Sequence, residues 1–348
     1  MANTPACFII AEAGVNHNGS TELALQLVDI AAAAGADAVK FQTFRAEALV
    51  RAGAEKAEYQ KRQTGEGDQF SMLKALELSE EAHRLVAERC RERGIRFMST
   101  PFDLQAADFL LGLGMDIIKI PSGELTNHPF LAELARRDRP LILSTGMGDL
   151  NEIREAVAVI HDARRQAGLG DMPPGFLTVL HCTSNYPALP QDVNLRAMRT
   201  IATELGVEIG YSDHTAGITV AIAAVALGAQ VIEKHFTLDR TLPGPDHAAS
   251  LEPQELASMV RAIRDVELAL GDGVKAPRPS ELPVRALVRR SLTLIRDVAA
   301  GTSVTAEDLV LLRPGTGIAP KYLNEVIGQR RYARDLRAGA TLEWTDLA

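Results

Sequence analysis

The sequence predicts an α/β protein, a (β/α)8 barrel followed by a small β-rich module, on three observations. From residue 8 to about residue 270, short β-rich apolar runs alternate with longer Ala- and Leu-rich helical stretches, the pattern of βα units around a parallel sheet. Eight such runs can be counted, the number of a barrel, whereas a doubly wound sheet tends to show fewer strands and an early glycine fingerprint. No G-x-G-x-x-G follows the first run. Beyond the last barrel helix the composition changes character, which places a second domain there.

In chain order the runs are FIIAEAG (8–14), AVKFQTF (38–44), RFMSTPF (96–102), IIKIPSG (117–123), LILSTGM (141–147), LTVLHCTS (177–184), VEIGYSD (207–213) and VIEKHF (231–236). Between them lie amphipathic segments such as TELALQLVDIAAAAGA, SEEAHRLVAERCRERG and NEIREAVAVIHDARRQAG, each ending in or near Gly, as helix C-caps prefer. The polar stretch between the second and third runs, roughly 45–70, is too long for an ordinary βα turn and predicts a lid over the catalytic face. After a helix at 253–270 comes GDGVKAPRPSELPVR, whose prolines cannot continue a helix. The predicted boundaries are therefore a catalytic barrel over 1–270, a linker over 271–290 and a β-rich module over 291–348.

Bulk properties narrow the function. The 348-residue chain is 46% hydrophobic and 24% charged, enough to bury a substantial core. A net charge of -8 without long like-charge runs argues against a nucleic-acid partner, which needs a basic face. Cys7, Cys90 and Cys182 are an odd, scattered set that cannot make a disulfide framework and fits a reducing cytosol. No basic N-terminal region and no apolar run of membrane-spanning length occurs. A soluble, cytoplasmic, unexported protein with no membrane partner is expected.

Polar and ionisable residues collect at the carboxyl ends of the strands, which in a barrel form the active-site face. His214 follows the seventh run and His235 ends the eighth, so their imidazoles could share a divalent ion, although a lone histidine at a barrel top is more often a hydrogen-bonding residue than a ligand. Asp213 and Glu233 beside them are candidate orienters. Lys40 and Lys119 alternate with apolar neighbours that turn them into the barrel mouth. There an ammonium needs an anion, either a ligand or an internal partner such as Glu124 for Lys119. Ser122 with Gly123, and Ser144 with Gly146, supply hydroxyl and backbone donors of the kind that cradle phosphate or carboxylate oxygens. Glu12 closes the first run and is a candidate general base; His17 reads as a turn residue.

The ordered motifs AEAGVNHNG, VKFQTF, STPFD, KIPSGE, STGM, HCTSNYP, GYSDHTAGI, EKHFTLD and GPDHAASLEP resemble those of the sialic acid synthase family, whose members make N-acetylneuraminic, legionaminic or pseudaminic acid. The resemblance covers essentially the whole chain, and SLTLIRDVAAGTSVTAEDLVLLRPGTGI looks like the antifreeze-like SAF domain that follows the barrel in that family. It implies attack of the phosphoenolpyruvate methylene carbon on the aldehyde of an open-chain N-acetylmannosamine-type sugar. Water then adds to the former enol carbon, and phosphate leaves by C–O cleavage. By motif, His214 and His235 would hold the divalent metal, Mn2+ first, with Mg2+ or Co2+ as alternatives. Lys40, Lys119, Ser122, Ser144, Asn185 and Ser212 would hold phosphoenolpyruvate. Glu12 and Glu124 would manage the proton and the water. Tyr186, Asp246 and Arg313 would bind the N-acylated amino sugar, Arg313 from the other subunit of a domain-swapped homodimer. In the segment 184–186 some members carry asparagine at the first position, so that contact falls on Ser184 or Asn185. The RPGTGI segment and the insertion look more like the neuraminic and legionaminic types than the pseudaminic type.

Two other classes compete. A barrel with two lysines could be a Schiff-base aldolase, trapped by borohydride on Lys40 or Lys119 and indifferent to chelators. An ice- or glycan-binding role for the C-terminal module would leave binding dependent on residues 285–348.

Overall fold

The computed structural model describes residues 6–348. The first part is a βα alternation: β1 (Phe8–Gly14), α1 (Thr21–Ala34), β2 (Ala38–Thr43), three short helices α2 (Ala46–Leu49), α3 (Glu58–Thr64) and α4 (Gln69–Ala75), then α5 (Glu80–Arg93) and β3 (Arg96–Pro101). It continues through α6 (Leu104–Gly112), β4 (Ile118–Ile120), α7 (His128–Ala135), β5 (Leu141–Ser144), α8 (Leu150–Gln166) and β6 (Leu177–Cys182). It ends with α9 (Pro190–Val193), α10 (Arg196–Leu205), β7 (Glu208–Asp213), α11 (Thr219–Ala226), β8 (Val231–His235) and α12 (Pro253–Leu270). Local chemistry sets the helix ends: Ser20, Ser79 and Asp103 accept backbone N–H groups at N-caps, and Gly35 and Gly94 close α1 and α5 in the left-handed region.

All eight strands are parallel and form one sheet in the order β3-β2-β1-β8-β7-β6-β5-β4. First and last strands are therefore neighbours, Glu12 pairing in register with both Lys40 and His235. β3 and β4, at the two ends of that order, also lie against each other, which closes the barrel. Alternate residues split the packing between two cores. Ile9, Val39, Phe41, Ile118, Ile120 and Val179 point outward into the layer packed by the helices. Ile10, Ala38, Met98, Ile142, Leu180 and Val231 fill the interior as a plug. Above that plug the interior positions turn polar, and the site begins there.

Two elements depart from the sequence reading for physical reasons. The run 117–123 gives only a three-residue strand, because Pro121 has no N–H to extend the ladder and Ser122–Glu124 turns into a 3-10 helix. The stretch read as a non-helical linker contains a helix, α13 (Leu282–Val288), with Pro283 in its first turn, where the missing N–H has no intrahelical role.

The chain divides into two compact units, the first ending at Asp272 and the second spanning Gly273–Ala348. In the second, β9 (Ser291–Leu294) pairs antiparallel with β10 (Leu309–Leu312), and α14 (Leu323–Val326) follows. Its core is small: Leu292, Leu294, Val304, Ile318, Val326, Tyr332 and Leu342. Among the described residues no helix is long and apolar enough to cross a membrane.

Candidate active site

Strand periodicity delivers the site. Lys40 lies between the outward-facing Val39 and Phe41, and Lys119 between Ile118 and Ile120, so both ammonium groups point to the barrel axis. Glu12 stands one interior step above Ile10, and Glu233 and His235 stand above Val231 on the same face of β8. Each of these five side chains is almost completely buried.

Four of them form one charged chain. The Lys40 ammonium lies 2.7 Å from Glu12 and 3.6 Å from Glu233, and donates to Thr100 Oγ1 at 2.9 Å. Lys119 lies 3.7 Å from the other Glu233 oxygen and donates to Ser144 Oγ at 2.7 Å. Ser212 Oγ donates to Glu233 at 3.0 Å, and Gln42 donates to Glu12 at 3.2 Å. Burial weighs against the Lys40 ammonium, yet Glu12 and Glu233 outweigh it and raise its pKa. Burial lowers the Lys119 pKa, with Glu233 opposing. Of the two carboxylates, burial and the nearby Glu233 charge push Glu12 up to about 7 against the pull of Lys40. Glu233 is held low, because Lys119 and Lys40 overcome its own burial. Lys119 thus has an internal partner, but it is Glu233. Glu124 is half-buried and accepts instead from the Asn127 side chain at 2.6 Å.

The two imidazoles meet at the same rim, their ring centres 5.5 Å apart. Nδ1 of His214 lies 2.7 Å from the Thr183 carbonyl. A carbonyl only accepts, so Nδ1 carries the proton and Nε2 keeps its lone pair. Nδ1 of His235 is buried with no hydrogen-bond partner, Asp246 being 3.8 Å away. Burial lowers both histidine pKa values, most strongly for His235, where His214 adds to it. Both rings are therefore neutral, the form a metal requires. Among the described residues no group of three or more His, Cys, Asp or Glu side chains gathers as a metal cage. The protein would supply two nitrogens and leave other positions to water and substrate oxygens. These donors fit a divalent cation.

The expected orienters do other work. Asp213 pairs with Lys234 at 2.8 Å, both fully buried, and accepts from the backbone N–H and hydroxyl of Thr215. Since Asp213 and Lys234 are register partners, this pair ties the two strands together at the positions just before His214 and His235.

A cavity of about 590 Å³ opens over this floor. Of the residues picked out from sequence it brings together Glu12, Lys40, Lys119, Ser122, Ser144, Tyr186, Ser212, His214, His235 and Asp246. Its lining does not include Glu124 or Asn185; Asn185 is exposed, its side-chain oxygen accepting the Tyr186 N–H, and Ser184 lines the cavity in its place. Arg313 lies exposed in the second unit, on the loop after β10. Ser122 Oγ accepts the Gly146 N–H at 2.9 Å, and a Cβ on Gly146 would fall 2.2 Å from Ser184 Oγ. A side chain there would displace the Ser184 hydroxyl and crowd Ser122 and Cys182.

The lining also holds residues not singled out from sequence as site residues, Thr100, Cys182 and Tyr59 among them. Thr100 orients Lys40, and its only signal was a hydroxyl at a strand end. Cys182, read as a packing residue, sits 3.2 Å from Ser122 Oγ. Tyr59 comes from the insertion and stacks on Tyr186 at 5.1 Å, while Tyr186 lies 4.2 Å from His214. The insertion thus covers the side of the cavity where Tyr186 and Asp246 stand.

The NeuB family model matches residues 27–275, and the SAF domain model matches 289–348. The chain is 56% identical to the N,N'-diacetyllegionaminic acid synthase of Legionella pneumophila, over 97% of this chain and 94% of that protein. It is 46% identical to the protein of the same name from Campylobacter jejuni, over 92% and 94% respectively. Among solved structures it is similar to the N-acetylneuraminic acid synthetase of Leptospira borgpetersenii in complex with citrate, with TM-score 0.69, 35% identity, and 82% and 93% of the two chains covered.

Proposed function

Because the chain belongs to the NeuB family and carries a SAF domain, we propose that it condenses phosphoenolpyruvate with an open-chain N-acylated amino sugar to give a nonulosonic acid and phosphate. The finer reading is a legionaminic acid synthase, whose acceptor is the 2,4-diacetamido-6-deoxy analogue of N-acetylmannosamine. The two most identical relatives above, at 56% and 46%, bear that name. The observation that carries the chemistry is the meeting of two neutral imidazoles, two inward lysines and four serine hydroxyls in one cavity.

Lys119, Ser144, Ser122 and Ser212 line the part of the cavity suited to the phosphate and carboxylate of phosphoenolpyruvate, with Lys40 beside them. Their charges do not suffice alone, since Glu12 and Glu233 already offset Lys40 and Lys119. A polyanion therefore fits best together with a cation. His214 and His235 would hold a divalent ion, Mn2+ in our proposal, which supplies the Lewis acidity that polarises the sugar aldehyde. Glu12, its pKa near neutrality, can hold or release the proton of the water that adds to the former enol carbon. The new bond joins the methylene carbon of phosphoenolpyruvate to the aldehyde carbon, and the departing phosphate keeps the bridging oxygen. Tyr186 and Asp246 stand where sugar hydroxyls would lie.

The test is phosphate release from phosphoenolpyruvate carrying 18O at the bridging position, with each of the two acceptor sugars. The proposal expects 18O in phosphate, equal amounts of phosphate and nonulosonic acid, and preference for the diacetamido sugar. Bridging 18O kept in the sugar acid would overturn the C–O cleavage. Preference for N-acetylmannosamine would replace the legionaminic reading with the neuraminic one. A Schiff base on Lys40 is disfavoured, because its ammonium is held charged between two carboxylates; borohydride trapping on Lys119 would favour the aldolase reading instead.

A further inference from the structure

The cavity has two unlike halves. Its floor carries the ion pairs and imidazoles described above. The wall supplied by the insertion and the helix after it is hydrocarbon: Leu49 on α2, Met72 and Leu73 on α4 and Leu76 just past its end line it beside Phe44 and Phe102. These side chains belong to a small cluster of their own, Val15, Phe44, Met72 and Leu76 with Leu49, Leu73 and Phe102 packed against it. Phe44 and Phe102 brace it edge to face at 5.8 Å, so the shape of the wall is set before a substrate arrives. One polar side chain nearby is committed elsewhere. Gln60 is buried, its oxygen accepting the Ala57 N–H at the start of α3 and its amide nitrogen facing the Tyr59 hydroxyl. On the same insertion, Tyr59 stacks on Tyr186, so the segment that carries Leu49 also reaches the acceptor-binding Tyr186 in the same cavity.

Resting on the proposed function, we infer that this wall is the specificity determinant that selects an acceptor bearing methyl groups, acetamido or deoxy, where N-acetylmannosamine bears hydroxyls. A hydroxyl pressed against Leu49, Leu73 and Met72 gives up its water and gains no partner, whereas a methyl group is transferred favourably. Phosphoenolpyruvate, held on the opposite floor, is indifferent to the wall. One methyl group in an apolar pocket changes discrimination by about tenfold or more, and the wall offers room for more than one.

The experiment compares kcat/KM for the 2,4-diacetamido-6-deoxy sugar and for N-acetylmannosamine in the full-length protein with Mn2+, in wild type, Leu73→Gln, Leu49→Gln and the conservative Leu73→Met. The inference expects each Gln variant to lower the diacetamido-to-N-acetylmannosamine ratio about tenfold or more, with KM for phosphoenolpyruvate unchanged and Leu73→Met close to wild type. Both half-buried leucines sit on separate short helices, so circular dichroism on each variant separates a lost preference from a lost fold. Folded Gln variants with an unchanged ratio would overturn the inference while leaving the proposed function standing. A wild type that releases no phosphate with either sugar would remove the proposed function and the wall's role together.

Discussion

His214 and His235 reach a shareable position through very local causes: a carbonyl at Thr183 fixes one tautomer, and burial keeps both rings neutral. Replacing either by Ala should leave far-UV circular dichroism unchanged, cut phosphate release by more than about a hundredfold and abolish Mn2+ binding by calorimetry. Even outer partners of metal ligands cost 10–100-fold. Retained activity in either variant would remove the pair from the mechanism. Gly146 is decided at the same scale. A Cβ there would lie 2.2 Å from Ser184 Oγ and 3.0 Å from both Cys182 Sγ and Ser122 Oγ. Gly146→Ala should raise KM for phosphoenolpyruvate about tenfold while leaving KM for the sugar within about twofold, a cost of roughly 1.4 kcal/mol. At this scale the sequence was most informative where a residue's face follows from alternation, as for Lys40, Lys119 and Glu12. It was least informative for partners set by loop geometry. Nothing in KIPSGE says that Glu124 turns to Asn127, or that Glu233 becomes the shared partner of both lysines.

Among elements, β7 and β8 owe their alignment to the buried Asp213–Lys234 pair. Such a pair is weak evidence of stability, but halving it leaves a bare charge in the interior. Lys234→Met should therefore lower stability by about 3–5 kcal/mol in urea unfolding, and Asp213→Asn with Lys234→Met should recover most of it. If the double variant regains stability but not Mn2+ affinity, the pair positions the histidines as well as filling the interior. Equal recovery of both would make its role structural alone. Strand and helix positions were legible because periods of two and of 3.6 alternate along the chain. The short β4 and helix α13 were not, since a proline ended one and was accommodated in the first turn of the other. The insertion was legible as polar and long. Its apolar cavity wall was not, because Leu49, Met72 and Leu76 meet only after α2 and α4 fold against Phe44.

For the whole molecule, the division into two units was visible in the shift to GDGVKAPRPSELPVR, and the residues at which they separate, Asp272 and Gly273, fall within that stretch. Arg313 lies in the second unit, and the role proposed for it, contact with the acceptor from a second copy, rests on the family resemblance. Arg313→Ala should raise KM for the sugar and not for phosphoenolpyruvate, and light scattering should give a dimer mass. Co-expression with His235→Ala should restore turnover at the wild-type sugar KM, which neither variant shows alone, and failure to do so in mixed dimers would place Arg313 outside the site. The central claim is that a cation and a phosphoenolpyruvate polyanion sit side by side in one barrel mouth. Its most direct test is phosphate release by chelator-stripped protein given phosphoenolpyruvate and the diacetamido sugar, before and after Mn2+ is added. The account predicts no phosphate before the metal and full turnover after it; steady turnover by the metal-free protein would contradict it.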